Sequence, residues 1–243
     1  IKIINQFTKK LRQKNYDLFH LNGNSLYEIY FHFRLWKFPR VHTIHDPTPH
    51  SGEGSGLSFI RQKTLLKLPK VTFIAPSQYT KETIIKEYKI SPQKVKVIYF
   101  GEFDLYREYN MKKPHEITGE LKDFFLFYGR LSAYKGADIL METYQNERQL
   151  LKDHPVVIAG KGELSSTLSN KTVENIYLIN RFISNEELVF LISRAKAVLC
   201  PYKDATQSGV AMTVFAFNRP LIATDVGAFS EVIINNKTGK LIH

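Results

Sequence analysis

Short apolar runs alternate with amphipathic stretches along the chain, and this alternation predicts strands and helices in turn. The opening residues are apolar at every third or fourth position, which predicts a helix ending near Lys14. Further helices are predicted over residues 57–68 and over TKETIIKEYK, which begins after Ser77. Four runs predict strands: YDLFHLNG, RVHTIHD, VTFIAPS and KVKVIYF. The first of these strands is predicted to be buried.

Residues 104–122 interrupt the pattern with charges, Pro114 and Gly119, and are predicted to connect two domains. The alternation then restarts, with strands at FFLFYG, VVIAG, NIYLI, AVLCP and PLIAT and helices between them. Both halves therefore predict an α/β fold of two Rossmann-like domains with mainly parallel sheets, over residues 1–112 and 113–243. The chain opens on a helix and closes just after GKLI, so both ends look cut and the first domain is expected to be incomplete.

Composition narrows the class of protein. A hydrophobic content of 43% with 23% charged residues is typical of a folded chain. No run reaches 18 apolar residues, and the opening residues IKIINQFTKK lack the apolar core of a signal peptide. We therefore expect a cytoplasmic protein, with the inner face of a membrane as an alternative place of action. Cys200 is the single cysteine, which excludes an internal disulfide.

The net charge of +11 favours anionic partners such as phosphates, acidic lipid headgroups or nucleic acid. Basic and aromatic residues are not interleaved on any one segment, and no RNA-binding signature is present. We therefore expect no nucleic-acid partner, whereas peripheral contact with an anionic membrane stays open.

Candidate site residues follow the predicted strands, because open α/β sheets bind ligands beyond the carboxyl ends of their strands. Gly129 and Arg130 follow FFLFY, and Lys135 comes five residues after Arg130 at a helix start. Two cations and backbone N–H groups in this order can be directed at a diphosphate. The alternative is an exposed Arg and Lys beside a turn glycine.

Gly160 and Gly162 follow VVIA and open a strand–GxG–helix pattern. The pattern resembles the dinucleotide fingerprint, but Ser165 stands where its third glycine would be. A tight turn from strand to helix explains the two glycines equally well.

Gln207, Ser208, Gly209 and Val210 precede a predicted helix after AVLCP. They offer a hydroxyl and free N–H donors to an anion at the positive end of the helix dipole. Ser208 is equally a good N-cap whatever binds there. Glu231, beyond PLIAT, is another candidate site residue or a partner of a helix dipole.

His42, His45, Asp46 and His50 lie close together at one predicted strand end. Their spacing matches neither HExxH nor a Cys/His finger, so no metal is expected. His45 and Asp46 are preferred as residues of a site without metal.

Taken together, these motifs resemble a known family. The order GRL…KG, IAGKGEL, SGVAMTVFAFNRPLIATDVGAFSEVI and GKLI is similar to the donor half of the retaining, metal-independent glycosyltransferases of family 4, of GT-B architecture. This similarity spans about residues 124–242. VHTIHDPTPHSGE, FIAPSQYTKE and KVKVIYFG resemble the acceptor domain of the same enzymes.

The resemblance implies roles for the candidate residues. Arg130 and Lys135 would stabilise the departing nucleoside diphosphate, which is transition-state electrostatics without a metal or other cofactor. His45 would contact the donor sugar. Residues near Arg181 and Phe182 would border the nucleobase. The donor-binding positions are Gly129, Gly160, Gly162, Arg181, Phe182, Gln207, Ser208, Gly209, Val210 and Thr213.

One departure from the family pattern concerns its acidic residues. The family usually has two Glu eight positions apart, and the corresponding residues here are Ala205 and Thr213. Asp204 or Gln207 is a candidate substitute for the first Glu. Thr213 offers a weaker hydroxyl contact to the ribose.

Two functions follow as alternatives. The first is a retaining transferase that moves a sugar from a nucleotide-sugar to a saccharide or lipid-linked acceptor, in surface polysaccharide or glycan assembly. The second is a non-catalytic nucleotide- or partner-binding module of the same fold, since fold alone does not determine function.

Overall fold

The chain forms two compact units, Ile1–Phe100 and Gly101–His243. A computed structural model describes residues 2–14, 16–23, 25–49, 56–164 and 175–243. Residues 101–112, which the sequence assigns to the first domain, lie within the second unit. The backbone N–H of Phe103 donates to the carbonyl of Met212 at 3.3 Å, and that of Lys112 donates to Glu186 at 3.1 Å.

The first unit is a parallel sheet of four strands in the order β1-β2-β3-β4, with four helices described. The strands are β1 (Phe19–Leu21), β2 (Arg40–Thr43), β3 (Val71–Ala75) and β4 (Val95–Val97). The helices are α1 (Lys2–Arg12), α2 (Leu26–Arg34), α3 (Gly56–Leu66) and α4 (Gln78–Tyr88).

Local chemistry accounts for these elements. Alternate residues of β3 are buried, and Phe73 packs with Leu66 and Ile84 in the core between sheet and helices. The N-cap of α4 is Ser77, whose side chain accepts a hydrogen bond from the Thr80 N–H at 3.0 Å. The predicted helix start after Ser77 is therefore confirmed.

Three local predictions differ from the structure. The first helix ends at Arg12, two residues before the predicted Lys14. The strand predicted as buried, β1, is a partly exposed edge strand of three residues. Helix α2 was not predicted, because aromatic residues occupy its sequence without a clear helical period.

The second unit is a parallel sheet of six strands in the order β10-β9-β8-β5-β6-β7. The strands are β5 (Phe125–Tyr128), β6 (Val156–Ala159), β7 (Ile176–Ile179), β8 (Ala197–Cys200), β9 (Leu221–Thr224) and β10 (Gly239–Ile242). The described helices are α5 (Ala137–Asn146), α6 (Arg148–Leu151), α7 (Asn185–Arg194), α8 (Gly209–Ala216) and α9 (Phe229–Val232).

This strand order reverses at β5, which pairs with β6 on one side and with β8 on the other. It is the order of the doubly wound dinucleotide-binding fold, in which ligands bind beyond the carboxyl ends of the strands at the reversal. All pairings between the described strands are parallel, which confirms the predicted α/β fold with two mainly parallel sheets. None of the described helices is long and apolar enough to cross a membrane.

The backbone after β5 touches the backbone after β6, and this contact generates a prediction. Gly160 has a φ of +150°, and a Cβ placed on it would lie 1.7 Å from the carbonyl oxygen of Gly129. Gly160→Ala is expected to lower the free energy of unfolding by about 2–4 kcal/mol, because the strained backbone and the clash must both be relieved. Urea unfolding measures the change.

Gly101→Ala is the matched control, since no atom lies within 4 Å of a Cβ at that position. It is expected to change the same free energy by less than about 0.5 kcal/mol. Equal destabilisation by the two substitutions would contradict the close approach.

Candidate functional site

A cleft of about 710 Å³ lies at the carboxyl ends of β5, β6 and β7. Five of the predicted site residues line it: Gly129, Arg130, Gly160, Gly162 and Phe182. It is also lined by Tyr106, Tyr128, Leu131, Ser132, Ala159, Lys161, Glu163, Ile183, Asn185 and Leu188. The cleft thus combines aromatic and aliphatic walls with two cations, one acid and a glycine-rich backbone, a composition typical of ligand pockets.

Glycine backbones form the floor of this cleft. Beside the Gly129–Gly160 contact, Leu131 and Gly162 form a parallel bridge, and the Leu131 N–H donates to the carbonyl of Lys161 at 3.0 Å. Asn180 holds Gly162 from the other side, accepting from its N–H at 3.2 Å and donating to its carbonyl at 3.1 Å. The loop after β5 and the loop after β6 can therefore approach each other without a side chain between them.

Lys135 lies on the other side of Gly129, toward β8. It ends the 3₁₀ helix Ala133–Lys135, and its Nζ would lie 3.1 Å from a Cβ placed on Gly129. The same Nζ lies over the ring of Tyr202, 5.3 Å from the centroid. Lys135 thus lies beside the backbone that follows β5, at the reversal in strand order, and Arg130 lines the cleft directly after the same strand.

The N-terminus of α8 lies at the same reversal. Ser208 caps this helix by accepting from the Ala211 N–H at 3.4 Å, as the N-cap alternative predicts. The hydroxyl of Tyr128, at the end of β5, donates to the carbonyl of Val210 at 3.3 Å. Gly209 is exposed, and a Cβ placed on it would lie 3.3 Å from the ring of Phe103. The structure therefore brings the positive end of the helix to the end of β5.

The two positions that lack the family's acidic residues are buried. Ala205 is 3% exposed, and its carbonyl oxygen would lie 2.1 Å from a Cβ placed on Gly227. Thr213 is 4% exposed, and its hydroxyl donates to the carbonyl of Gly209 at 3.0 Å within α8. Small side chains at these positions pack tightly, and the Thr213 hydroxyl already has a partner inside the helix.

Three weaker candidates lie apart from the residues that line the cleft. Asp204 and Gln207 are partly exposed in the segment between β8 and α8. Glu231 is exposed in the first turn of α9, where a carboxylate interacts favourably with the helix dipole. Ser165, which stands in place of the third fingerprint glycine, lies outside the described residues.

Arg181, predicted near the nucleobase, is bound to two carboxylates. Its Nε and one terminal nitrogen donate to Glu116 at 2.7 and 2.8 Å, and both terminal nitrogens donate to Glu187 at 2.8 Å. The remaining N–H donates to the carbonyl of Phe182 at 3.0 Å. These three side chains are named the Arg181 cluster: Arg181, Glu116 and Glu187.

The charges of the Arg181 cluster stabilise one another. Hydrogen bonds from Arg181 lower the pKa of Glu187 to about 2 and also lower the pKa of Glu116. The hydrogen bonds from Glu187 and Glu116 raise the pKa of Arg181 in turn. All three groups therefore stay ionised at neutral pH.

In the first unit, His45 and Asp46 line a cavity of about 240 Å³ beyond the carboxyl end of β2, together with Gly23, Thr43, Ile44 and Gln62. The Nε2 of His45 is hydrogen-bonded to the side-chain oxygen of Asn22. Its ring packs on Phe100, with 5.6 Å between the centroids. His45 is thus held by the turn after β1 and by the segment after β4.

Behind this cavity, His32 and His42 form a fully buried pair. The Nε2 of His42 lies 2.9 Å from the carbonyl of Gly23, which can only accept, so this nitrogen carries a proton. In the neutral ring Nδ1 is then the acceptor for Nε2 of His32 at 3.0 Å. Burial lowers the pKa of His32 to about 3 and that of His42 to about 4, so both rings are neutral.

The predicted cluster of His42, His45, Asp46 and His50 is not brought together as a metal site within the described residues, where no three His, Cys, Asp or Glu are grouped for one. His50 itself lies outside them. His42 is directed at the turn after β1, whereas His45 and Asp46 line the cavity.

Several residues that line the cleft or hold its backbone were not predicted. Tyr106 lies in the 3₁₀ helix Asp104–Glu108, within the segment predicted as a connection between domains. Ser132 stands between the two predicted cations, and Asn180 directly after β7. Position after a strand was a usable signal for Asn180, but nothing in the local sequence marks Tyr106.

Family models match both parts of the chain. The model described as Glycosyl transferases group 1 matches residues 122–243, and the one described as Glycosyltransferase Family 4 matches residues 1–101. The chain belongs to the group 1 glycosyl transferases. The membership of a glycosyltransferase family that the motifs predict is thus confirmed.

Curated members of this class are similar over much of the chain. D-rhamnosyltransferase WbpZ of Pseudomonas aeruginosa is 26% identical over 204 residues, which cover 75% of this chain and 51% of the relative. O-antigen chain mannosyltransferase C of Escherichia coli is 24% identical over 231 residues, covering 86% of this chain and 59% of the relative. The chain therefore spans about half the length of these two relatives.

Solved glycosyltransferase structures share the fold. Anabaena Alr3699/HepE in complex with UDP-glucose has a TM-score of 0.71 at 17% identity, over 98% of this chain and 67% of the other. Sucrose-phosphate synthase from Thermosynechococcus elongatus has a TM-score of 0.70 at 16% identity, over 99% of this chain and 64% of the other. These similarities confirm the predicted GT-B fold class of the glycosyl transferase.

The buried histidine pair generates a prediction about acid stability. The pKa values of His32 and His42 in the folded state lie below that of an unfolded histidine, about 6.5. On acidification the unfolded chain therefore binds protons first, and the free energy of unfolding falls between about pH 6.5 and 4. Each histidine contributes at most about 1.4 kcal/mol per pH unit to this slope.

His32→Leu is expected to flatten the slope in that window, because one of the two titrating groups is removed. Urea unfolding at half-unit steps of pH measures the slope. A variant with the full wild-type slope would show that His32 is not a buried neutral group.

Proposed function

We propose that this chain forms part of a retaining, metal-independent glycosyltransferase that takes its sugar from a nucleotide-sugar. The observation that carries the proposal is the cleft after β5, β6 and β7, which adjoins two cations and a helix N-terminus at the reversal in strand order. An apolar pocket suits a nucleoside, and a cationic edge with backbone N–H groups suits its diphosphate.

In this proposal Arg130 and Lys135 act as the catalytic cations. They stabilise the negative charge that develops on the departing nucleoside diphosphate, a role for which no metal is required. The N-terminal N–H groups of α8, beyond Ser208, add the partial positive charge of the helix to the same region. His45 is the third proposed catalytic residue, which contacts the transferred sugar, with Asp46 beside it in the cavity after β2.

The relatives suggest the kind of acceptor. Two of them are named for transfer of rhamnose and of O-antigen mannose, and Alr3699/HepE is titled as a complex with UDP-glucose. By similarity we propose a saccharide or lipid-linked acceptor in polysaccharide assembly at the cytoplasmic face of a membrane. The net charge of +11 supports an acceptor with an anionic diphosphate or an anionic membrane surface.

One observation favours a second candidate, a nucleotide-binding module without turnover. Ala205 and Thr213, at the positions of the family's two Glu, are buried and offer no carboxylate to sugar or ribose hydroxyls. In this case the cleft binds nucleotide, but the sugar is not positioned for transfer.

A thermal-shift screen tests both candidates. UDP, GDP, ADP and their common sugar conjugates are added with and without magnesium, since a ligand that binds only the native state raises the melting temperature. At one hundred times its dissociation constant such a ligand stabilises by about 2.7 kcal/mol. A shift with one nucleotide that does not need magnesium is expected, and no shift with any of them would refute both candidates.

Turnover then separates the two. The enzyme releases nucleoside diphosphate from the conjugate that binds, by hydrolysis or by transfer to a supplied acceptor, whereas the module binds it unchanged. Anomeric configuration of the product, read by NMR, tests retention.

Arg130→Ala and Lys135→Ala are each expected to weaken binding of the active nucleoside diphosphate about tenfold or more, because a charge-assisted contact is lost. Isothermal titration calorimetry measures the affinity. Lys122→Ala is the matched control, since Lys122 pairs with Glu120 at 2.9 Å and does not line the cleft. An equal loss in the control would assign the effect to net charge alone.

A further inference from the structure

The guanidinium of Arg181 has no N–H left for a ligand. A guanidinium carries five N–H donors, and five hydrogen bonds leave Arg181, two to Glu116, two to Glu187 and one to the carbonyl of Phe182. Paired bonds to carboxylates fix its orientation as well as its charge. A direct contact to a diphosphate would require one of these bonds to break.

The Arg181 cluster instead fixes the loop between β7 and α7. Glu187 also accepts from the Ser184 N–H at 3.1 Å, and the Ser184 hydroxyl accepts from the Glu187 N–H at 3.3 Å, so the start of α7 is held by a capping box. Glu116 ties this loop to a segment 65 residues earlier in the chain. The backbone on both sides of Phe182 is thus held by side chains that stay ionised.

Phe182 lies between these fixed points, and its ring is not packed into the protein. The residue is 78% exposed and lines the cleft beside Ile183 and Leu188. A large aromatic residue exposed in a ligand cleft offers a face on which a base can stack, and such stacking tolerates any base.

We propose that Arg181 is a positioning residue, which holds Phe182 as the stacking platform for the nucleobase and does not itself contact the diphosphate. The inference rests on the proposed function, because it assigns a role within the same cleft. It separates the two neighbouring residues, both of which the family resemblance places near the base. Phe182 touches the ligand, and Arg181 acts only through Phe182.

The test compares two ligands of the 243-residue chain by calorimetry: the nucleoside diphosphate that shifts its melting temperature, and inorganic diphosphate. Phe182→Ala is expected to weaken binding of the nucleotide about tenfold and to change the affinity for inorganic diphosphate by less than twofold, since only the nucleotide has a base. Arg181→Gln is expected to show the same selective loss. The double variant should bind the nucleotide no more weakly than Phe182→Ala alone, because the two residues act as one unit.

Two further variants keep the test independent of folding. Glu116→Gln removes one carboxylate from Arg181 and should reproduce the selective loss in weaker form. Arg219→Gln is the matched control, because Arg219 donates to the carbonyl of Ser193 near the amino end of β9, away from the cleft. It should leave both affinities within twofold whatever its melting temperature.

Three results would overturn the inference. Equal weakening of both ligands by Arg181→Gln would assign Arg181 to the diphosphate or to general stability. Additive losses in the double variant would show that Arg181 does not act through Phe182, and an unchanged nucleotide affinity would show that it has no role in binding. If the unmodified chain binds inorganic diphosphate but no nucleotide, the proposed function fails, and this inference fails with it.

Discussion

The second unit depends on the absence of two side chains where the backbones after β5 and β6 touch. A Cβ on Gly160 would lie 1.7 Å from the carbonyl oxygen of Gly129, and one on Gly162 would lie 2.1 Å from that of Leu131. With the loops this close, backbone and cations line one continuous surface at the carboxyl ends of the strands. A residue with a side chain at either position would separate the loops and divide that surface.

Around this contact the cleft has two different edges. Toward β8 it is electropositive, since Lys135 and the N-terminus of α8 both approach the end of β5. Toward β7 it is apolar, with Phe182 exposed above a loop held by the Arg181 cluster. The guanidinium of that cluster is already bound to two carboxylates, so the cluster adds rigidity without offering a cation that competes for an anion at the opposite edge.

Much of the fold was predictable because its signals are local. Buried strands are visible in the sequence as short apolar runs. The side chains of Ser77 and Ser208 accept hydrogen bonds from N–H groups only three residues further along the chain. The short edge strand β1 and the aromatic helix α2 carry weaker periodicity, so the first was predicted as buried and the second was not predicted. Positions after strands gave four residues of the cleft, because parallel strands end at one edge, and the family resemblance gave Phe182.

What could not be predicted depends on contacts between distant parts of the chain. Tyr106 reaches the cleft from a segment rich in charges, and no local pattern shows where that segment lies. The family resemblance placed Arg181 near the nucleobase, but its hydrogen bonds depend on Glu116, 65 residues away. The catalytic and donor-binding roles of the other residues stay predictions from the family resemblance.

The position of β5 at the centre of its sheet has a consequence for folding. Phe125 pairs with Val156 on one side and with Ala197 on the other, so one flank of β5 stays open until a much later part of the chain is present. During synthesis the apolar half of the cleft can form on β5, β6 and β7 alone, whereas the electropositive half waits for β8 and α8. Until then β5 exposes an unpaired hydrophobic edge, which is the kind of surface that chaperones recognise and that aggregates when left uncovered.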